Sequence, residues 1–219
     1  MKEIWSSHLA DEIGYWKSMF DGTFHNKDWV AGFRRRVAGV DIFPSHLLEF
    51  LRDNCKILDV GSGPATVLGG VVNGKSIDVT AVDPLATSYL DLYKEHNICP
   101  LITPVYGEAE NLAAYVEGKF DFVYSRNALD HSYDPIKAIQ SMIDVCVTGG
   151  IIFFENVINE GANENYRGLH QWNFMPASGE LVVWSKEAGA SLLGREVHGY
   201  SSLNAFIIRD GWVAVKIMA

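Results

Sequence analysis

Lys56-Ile-Leu-Asp-Val-Gly-Ser-Gly-Pro-Ala-Thr66 decides the fold: a short apolar strand runs straight into a glycine-punctuated turn that opens a helix. Gly61 and Gly63 carry no side chain, so the backbone turns tightly, approaches a ligand closely and leaves N–H groups pointing outward. Working outward, Val79-Thr-Ala-Val-Asp-Pro84 is a second apolar strand. It ends in an acid about 20 residues past the glycines, the spacing of a doubly wound nucleoside site. Asp83 is therefore placed to accept from two ribose hydroxyls, while its charge repels a phosphate. The dinucleotide fingerprint wants a third small residue where this chain has Thr66, so the reading favours a ribose without a phosphate tail.

Leu101-Ile-Thr-Pro-Val-Tyr-Gly-Glu-Ala-Glu-Asn-Leu112 again reads strand, turn, acid, helix. Phe120-Asp-Phe-Val-Tyr-Ser-Arg-Asn127 and Gly149-Gly-Ile-Ile-Phe-Phe154 add two further strands. With these segments in this order over residues 55–156, the chain resembles a class I S-adenosylmethionine-dependent methyltransferase. The resemblance implies that Gly61, Ser62 and Gly63 lie under the methionine and ribose, and that Asp83 holds the ribose, with Pro84 and Leu85 flanking the adenine. Glu108, in the Gly107 turn, takes the adenine amino group beside the Ala109 N–H. Ser125, Arg126 and Asn127 line the methionine end, and Asp59 supports the turn and the methionine amino group.

Composition excludes several classes. At 219 residues, 48% hydrophobic and 21% charged, the chain is ordinary globular material with room for one sizeable core. Its net charge of −9 argues against tracking a phosphate backbone, so nucleic acid is not an expected partner. Arg34-Arg-Arg36 is the one basic cluster and reads as a solvated face, with contact to an anionic substrate as the alternative. Three widely spaced cysteines, Cys55, Cys99 and Cys146, suggest buried thiols in a reducing compartment rather than disulfides. No Cys or His spacing resembles a zinc site, and no metal is expected. Without a signal peptide or a long apolar run, the expectation is a cytoplasmic protein that does not enter membranes, as a monomer or homodimer.

The expected fold is α/β: a doubly wound, mostly parallel seven-stranded sheet with a C-terminal antiparallel hairpin and an N-terminal helical cap. As one domain over 1–219, it divides into a cap (1–54), a cofactor-binding core (55–156) and a substrate loop with the last strands (157–219). Apolar spacing predicts helices at 4–20 and 44–52, then near 66–72, 87–95, 109–116 and 135–145 between strands. A third strand is expected at 100–105. Ser178 is read as the cap of another helix ending near Gly189, and Asp210-Gly211 as a hairpin turn.

The acceptor should meet the loop Arg126–Pro135 and the long stretch 156–175, since ligands of open α/β sheets sit outside the carboxyl ends of the strands. Methyl transfer from a sulfonium mainly needs alignment and exclusion of water, plus a base if the acceptor is a hydroxyl or protonated amine. His131 and His170 are the candidate bases, with Asp130 ranked below them. Tyr15, beside the Trp5, Leu9, Trp16 and Phe20 stripe, offers an aromatic face to the sulfonium. Tyr166, Trp172, Asn165, Gln171 and Asn173 suggest a carbohydrate or natural-product acceptor. The expected activity is transfer of a methyl from S-adenosylmethionine to an oxygen or nitrogen of a small molecule, leaving S-adenosylhomocysteine. The alternatives are a nicotinamide-dependent reductase and a non-catalytic S-adenosylmethionine-binding subunit.

Overall fold

The computed structural model describes residues 2–38, 43–68, 71–72 and 75–219. Two helices lead the chain, α1 (Lys2–Asp21) and α2 (Lys27–Val37). The second was not expected; the Asn26 side chain caps it by accepting from the Asp28 and Trp29 N–H groups, and it buries Val30 and Phe33. A 3₁₀ turn, Ser45–Phe50, stands where a helix over 44–52 was expected.

Strands β1 (Cys55–Val60), β2 (Val71–Val72), β3 (Lys75–Asp83), β4 (Val105–Tyr106), β5 (Phe120–Arg126) and β6 (Cys146–Val157) follow. Helix α3 (Ala86–Glu95) and a 3₁₀ stretch, Ala109–Ala114, lie among them, with α4 (Pro135–Asp144) between β5 and β6. β1 pairs in parallel with β3 on one side and β5 on the other, β5 with β6, and β3 with the short β4. The order therefore reverses between β1 and β5, which opens a crevice at their carboxyl ends. The closing hairpin, β10 (Ser202–Arg209) and β11 (Trp212–Met218), adds antiparallel to β6 around Asp210-Gly211 as expected. The sheet is thus the mostly parallel, doubly wound one read from the sequence, with the two-residue β2 as an antiparallel addition.

Consecutive apolar residues on the central strands divide between opposite faces. Ile57, Phe122 and Phe153 pack with Leu47 and Leu51 on one face. Leu58, Val123 and Phe154 pack with Ile139 and Met142 of α4 on the other. Both faces are covered, which is why these strands read as continuous apolar runs. A third cluster, Met19, Phe20, Phe33, Tyr89 and Tyr93, pins α1 and α2 to α3.

Further local expectations fail, and the helix expected near 109–116 is the 3₁₀ stretch Ala109–Ala114, kinked at Asn111. The third strand shrinks from 100–105 to Val105–Tyr106. No helix forms over 66–68, where the Thr66 hydroxyl accepts from Leu68 N–H and so competes with helical pairing; Val71–Val72 is strand, and residues 69–70 lie outside the described ones. The expected helix from Ser178 to Gly189 is instead a three-stranded antiparallel sheet of β7 (Asn173–Ala177), β8 (Glu180–Ser185) and β9 (Gly189–Leu192). Ser178 and Gly179 both take positive φ, 54° and 86°, which builds a two-residue hairpin turn, and burial then alternates along β8. The stretch 156–175 is likewise structured, holding the end of β6, α5 (Glu160–Asn163) and the start of β7. A last short helix, α6 (Leu193–Glu196), precedes β10. Among the described residues, no helix is long and apolar enough to cross a membrane.

Candidate active site

A cavity of about 1100 Å³ lies over the crevice between β1 and β5, roofed by α1 and α2. It has room for a nucleoside cofactor and a small acceptor together. Tyr15, Gly61, Ser62, Gly63, Asp83, Pro84, Leu85, Gly107, Glu108, Ala109, Ser125, Arg126 and Asn127 all line it, and so do His131 and His170. Asp59 does not. It is buried beneath the turn, where it accepts from the Thr66 hydroxyl, and burial pushes its carboxyl up to about 7. Its part is to hold the turn from below, because the strand geometry that places it next to Val60 points it away from the crevice.

The turn after β1 is tied to the end of β3 through Asp83. One carboxylate oxygen accepts from Gly63 N–H at 2.8 Å; the other accepts from Leu85 N–H at 2.8 Å and the Tyr89 hydroxyl at 3.1 Å. Burial raises this carboxyl to about 6 against the pull of those donors. A carboxylate has about four acceptor positions, so capacity remains on the oxygen that holds Gly63. Gly61 and Gly63 take φ of 69° and 62°. A Cβ on Gly63 would stand 2.8 Å from Trp16 Cζ2, and one on Gly61 would meet Ala128. The glycines are thus required by the cap and by the loop after β5, as well as by any ligand. Ser125 Oγ is fully buried on the cavity wall without a hydrogen-bond partner, an unsatisfied group aimed where a ligand's methionine end is expected.

Glu108 is already engaged: Lys2 Nζ donates to it at 2.6 Å and the Tyr133 hydroxyl at 2.9 Å. Burial raises its pKa, yet these donors outweigh burial and hold it below its ordinary value. Glu110, not singled out from the sequence, accepts from the Tyr133 and Asp134 N–H groups ahead of α4. Tyr15 packs edge-on against Trp16 and Phe24 at the cavity margin.

On the other side, three side chains separated by up to 40 positions converge. His170 Nδ1 lies 2.9 Å from Asp130 Oδ2, and His131 Nε2 lies 3.0 Å from His170 Nδ1 and 3.4 Å from Asp130 Oδ2. Asp130 is completely buried, and its other oxygen accepts from the Asn156 amide at 3.0 Å. Burial raises Asp130, but the charge of His131 and the His170 hydrogen bond outweigh it and hold the carboxyl below its ordinary value. Burial lowers His170, and the hydrogen bond and charge of Asp130 more than offset this, leaving it above its ordinary value. Asp130 was ranked last from the sequence and is the group that joins both histidines. The adjacent acid and imidazole in Asp130-His131 were the available signal; His170 arrives through the loop before β7.

The basic stretch divides. Arg34 and Arg35 are exposed, Arg35 at the cavity edge, and half-buried Arg36 lines the cavity. Burial first, then the charge of Arg126, pushes Arg36 below its ordinary pKa. Near the β6 end, buried Glu155 accepts from the Tyr124 hydroxyl at 2.6 Å, with Arg126 and Arg209 at 3.6 and 3.7 Å. Arg209 stacks 3.9 Å over Trp212, which lines the cavity. The residues expected to stack on a sugar are elsewhere. Trp172 and Asn173 are buried, the Gln171 amide is spent on the Tyr166 and Gly168 carbonyls, and none of these lines the main cavity. They build the loop that carries His170.

Residues 31–193 match the model of a family described as a methyltransferase domain. The tRNA U34 carboxymethyltransferase of Alteromonas mediterranea is 27% identical over 148 residues, covering 61% of this chain and 44% of that protein, so the chain spans about half the length of this relative. The ubiquinone biosynthesis O-methyltransferase of Haemophilus ducreyi is 28% identical, covering 72% of this chain and 78% of that protein. Among solved structures, the methyltransferase in complex with the Haloferax volcanii Trm112 activator matches with a TM-score of 0.57 at 13% identity, over 95% of this chain and 96% of that one. The CurJ carbon methyltransferase matches with a TM-score of 0.52 at 11% identity, over 78% and 50%. At these identities the solved structures establish the fold alone.

Proposed function

This chain belongs to the methyltransferase-domain family, and we propose that it is a class I S-adenosylmethionine-dependent enzyme that methylates a hydroxyl or amine of a small molecule held beside Asp130, His131 and His170. The observation that carries this reading is that His170, which lines the same cavity as the Gly61–Gly63 turn, is held from behind by buried Asp130.

When bound, the cofactor supplies an electrophilic methyl group on a sulfonium. Asp83 and the turn after β1 would hold the ribose, Ser125 and Arg126 the methionine end, and Arg36 offers its desolvated guanidinium to an anionic group there. On the acceptor side, Asp130 accepting from His170 Nδ1–H fixes the tautomer that leaves Nε2 with a lone pair for the acceptor's proton. The acceptor oxygen or nitrogen would give that proton to His170 as it takes up the methyl group. The aromatic roof of Tyr15 and Trp16 excludes water from this exchange.

The net charge of −9 and a cavity edged by Trp212 and Leu169 support a small acceptor over a polynucleotide. The relative that acts on tRNA supplies the contrary outcome to test. Incubation with methyl-labelled S-adenosylmethionine, metabolite extract and total tRNA should place label in the small-molecule fraction. Label confined to tRNA overturns the proposal.

A further inference from the structure

Asp130 Oδ2, His131 Nε2 and His170 Nδ1 form a triangle with sides of 2.9, 3.0 and 3.4 Å, all three residues being the one such cluster among the described residues. Hydrogen bonds alone satisfy this triangle poorly. Each imidazole nitrogen has one site, filled by either a proton or a lone pair. If His170 Nδ1 donates to Asp130, His131 Nε2 either turns a lone pair toward the carboxylate or brings a second N–H to within 3.0 Å of the first. If His170 Nδ1 keeps its lone pair, that lone pair faces the carboxylate oxygen at 2.9 Å. Each arrangement crowds two lone pairs or two N–H groups together, the mildest being two N–H groups that share Asp130 Oδ2.

A cation removes the conflict, because all three atoms then present lone pairs to it. A triangle of this size leaves a point about 2.1 Å from every corner, the usual zinc–nitrogen and zinc–oxygen distance. The surroundings fit such a site: Asp130 is held from behind by the Asn156 amide, which orients its free oxygen. Both imidazoles are partly exposed to the cavity, so a fourth position stays open toward an acceptor. Two imidazoles and one carboxylate suit zinc, cobalt, iron or nickel better than magnesium, which prefers an all-oxygen shell.

We propose that Asp130, His131 and His170 bind one divalent transition-metal cation, whose open position takes the acceptor's oxygen. This rests on the reading of the cluster as the acceptor side of a methyltransferase; it replaces the metal-free expectation drawn from histidine spacing and, with the cation bound, the imidazole base, because His170 Nδ1 then gives its lone pair to the cation and Nε2 carries the proton. A hydroxyl acceptor is the matching class, since a bound cation makes an O–H far more acidic than it is in water.

The test uses the full chain, stripped with chelator and titrated with Co²⁺ while visible absorption is recorded, with Zn²⁺ then added to displace it. One Co²⁺ per chain is expected, with His131→Ala and His170→Ala each weakening it at least tenfold and the exposed His198→Ala leaving it unchanged. Co²⁺ should also raise the melting temperature of the parent chain but not of the two variants, which separates ligand loss from misfolding. Absence of a site, or binding indifferent to both substitutions, overturns the proposal. S-adenosylhomocysteine titrated in parallel keeps the two readings apart: its binding without Co²⁺ defeats the cation alone, and Co²⁺ binding without it defeats the methyltransferase assignment of the cavity.

Discussion

The two walls of the cavity are built differently. The cofactor side is assembled from the ends of neighbouring parallel strands: Gly61–Gly63 after β1, Asp83 at the end of β3, Gly107 and Glu108 after β4, Ser125–Asn127 around the end of β5. Each residue follows an apolar run by a fixed number of positions, so the sheet places it. The acceptor side joins Asp130 and His131 to His170 across 39 to 40 positions, through a loop held by α5 and β7. There the register of one strand says nothing about the partner. The lesson is that a regular scaffold places the residues proposed to hold the cofactor locally, while the groups proposed to react depend on how an irregular segment folds back.

The sharpest break of this comparison is His170→Ala. It should lower turnover by about 10²- to 10⁴-fold, the usual contribution of a positioned base, while S-adenosylhomocysteine affinity stays unchanged in calorimetry. In the parent chain stripped of metal, turnover should rise with pH through a value above 6.5, as the imidazole that Asp130 holds above its ordinary pKa loses its proton. A flat pH profile, or cofactor affinity lost together with turnover, would mean that the two walls are one functional unit.

Asp83→Ala probes the opposite wall. It should weaken cofactor binding by about 1 to 3 kcal/mol, the cost of leaving buried donors unpaired, with turnover at saturating cofactor little changed. Calorimetry that finds the affinity intact removes Asp83 from the ribose site.

Gly63→Ala should cost about 1 to 2 kcal/mol of folding stability, since φ of 62° strains any side chain and the new Cβ runs into Trp16. That corresponds to a fall in melting temperature of about 2 to 4 °C per kcal/mol. Gly63→Ala combined with Trp16→Ala should recover part of the loss; an unchanged deficit would assign the cost to backbone strain alone.

The smallest effect is expected below the turn. Burial raises Asp59 to about 7 and Asp83 to about 6 from 3.8, so both favour the folded state while protonated. Their contribution is complete below 3.8 and is lost as pH rises through about 6 for Asp83 and about 7 for Asp59. Asp130, held low, works in the other sense and loses its contribution as pH falls below 3.8. Melting temperatures should therefore decline between pH 4 and 7, and Asp59→Asn should flatten that decline. A parallel curve for the variant would show that Asp59 does not titrate in this window.

The fold was largely legible because apolar runs bounded by turn residues repeat at the spacing of βαβ units. The misses share one cause. Ser178-Gly179 was read for its capping hydroxyl, yet the pairing of Val182 with Leu192 and of Phe174 with Val183 favours a hairpin there. Thr66 was read as the start of a helix, and its hydroxyl instead serves Asp59 and the Leu68 N–H. Polar side chains with several possible partners are decided by whichever partner packing brings near.

For this protein the chain alone determined the central strands, the glycine turn and the acid at the end of β3, since those depend on periodicities of a few residues and on backbone sterics. Tertiary structure alone decided that Arg36 turns into the cavity, that Trp172 supports a loop rather than a ligand, and that Asp130 meets two histidines. The reason is physical: contacts between distant segments are selected by burial and charge summed over the whole molecule, and no local pattern carries that sum.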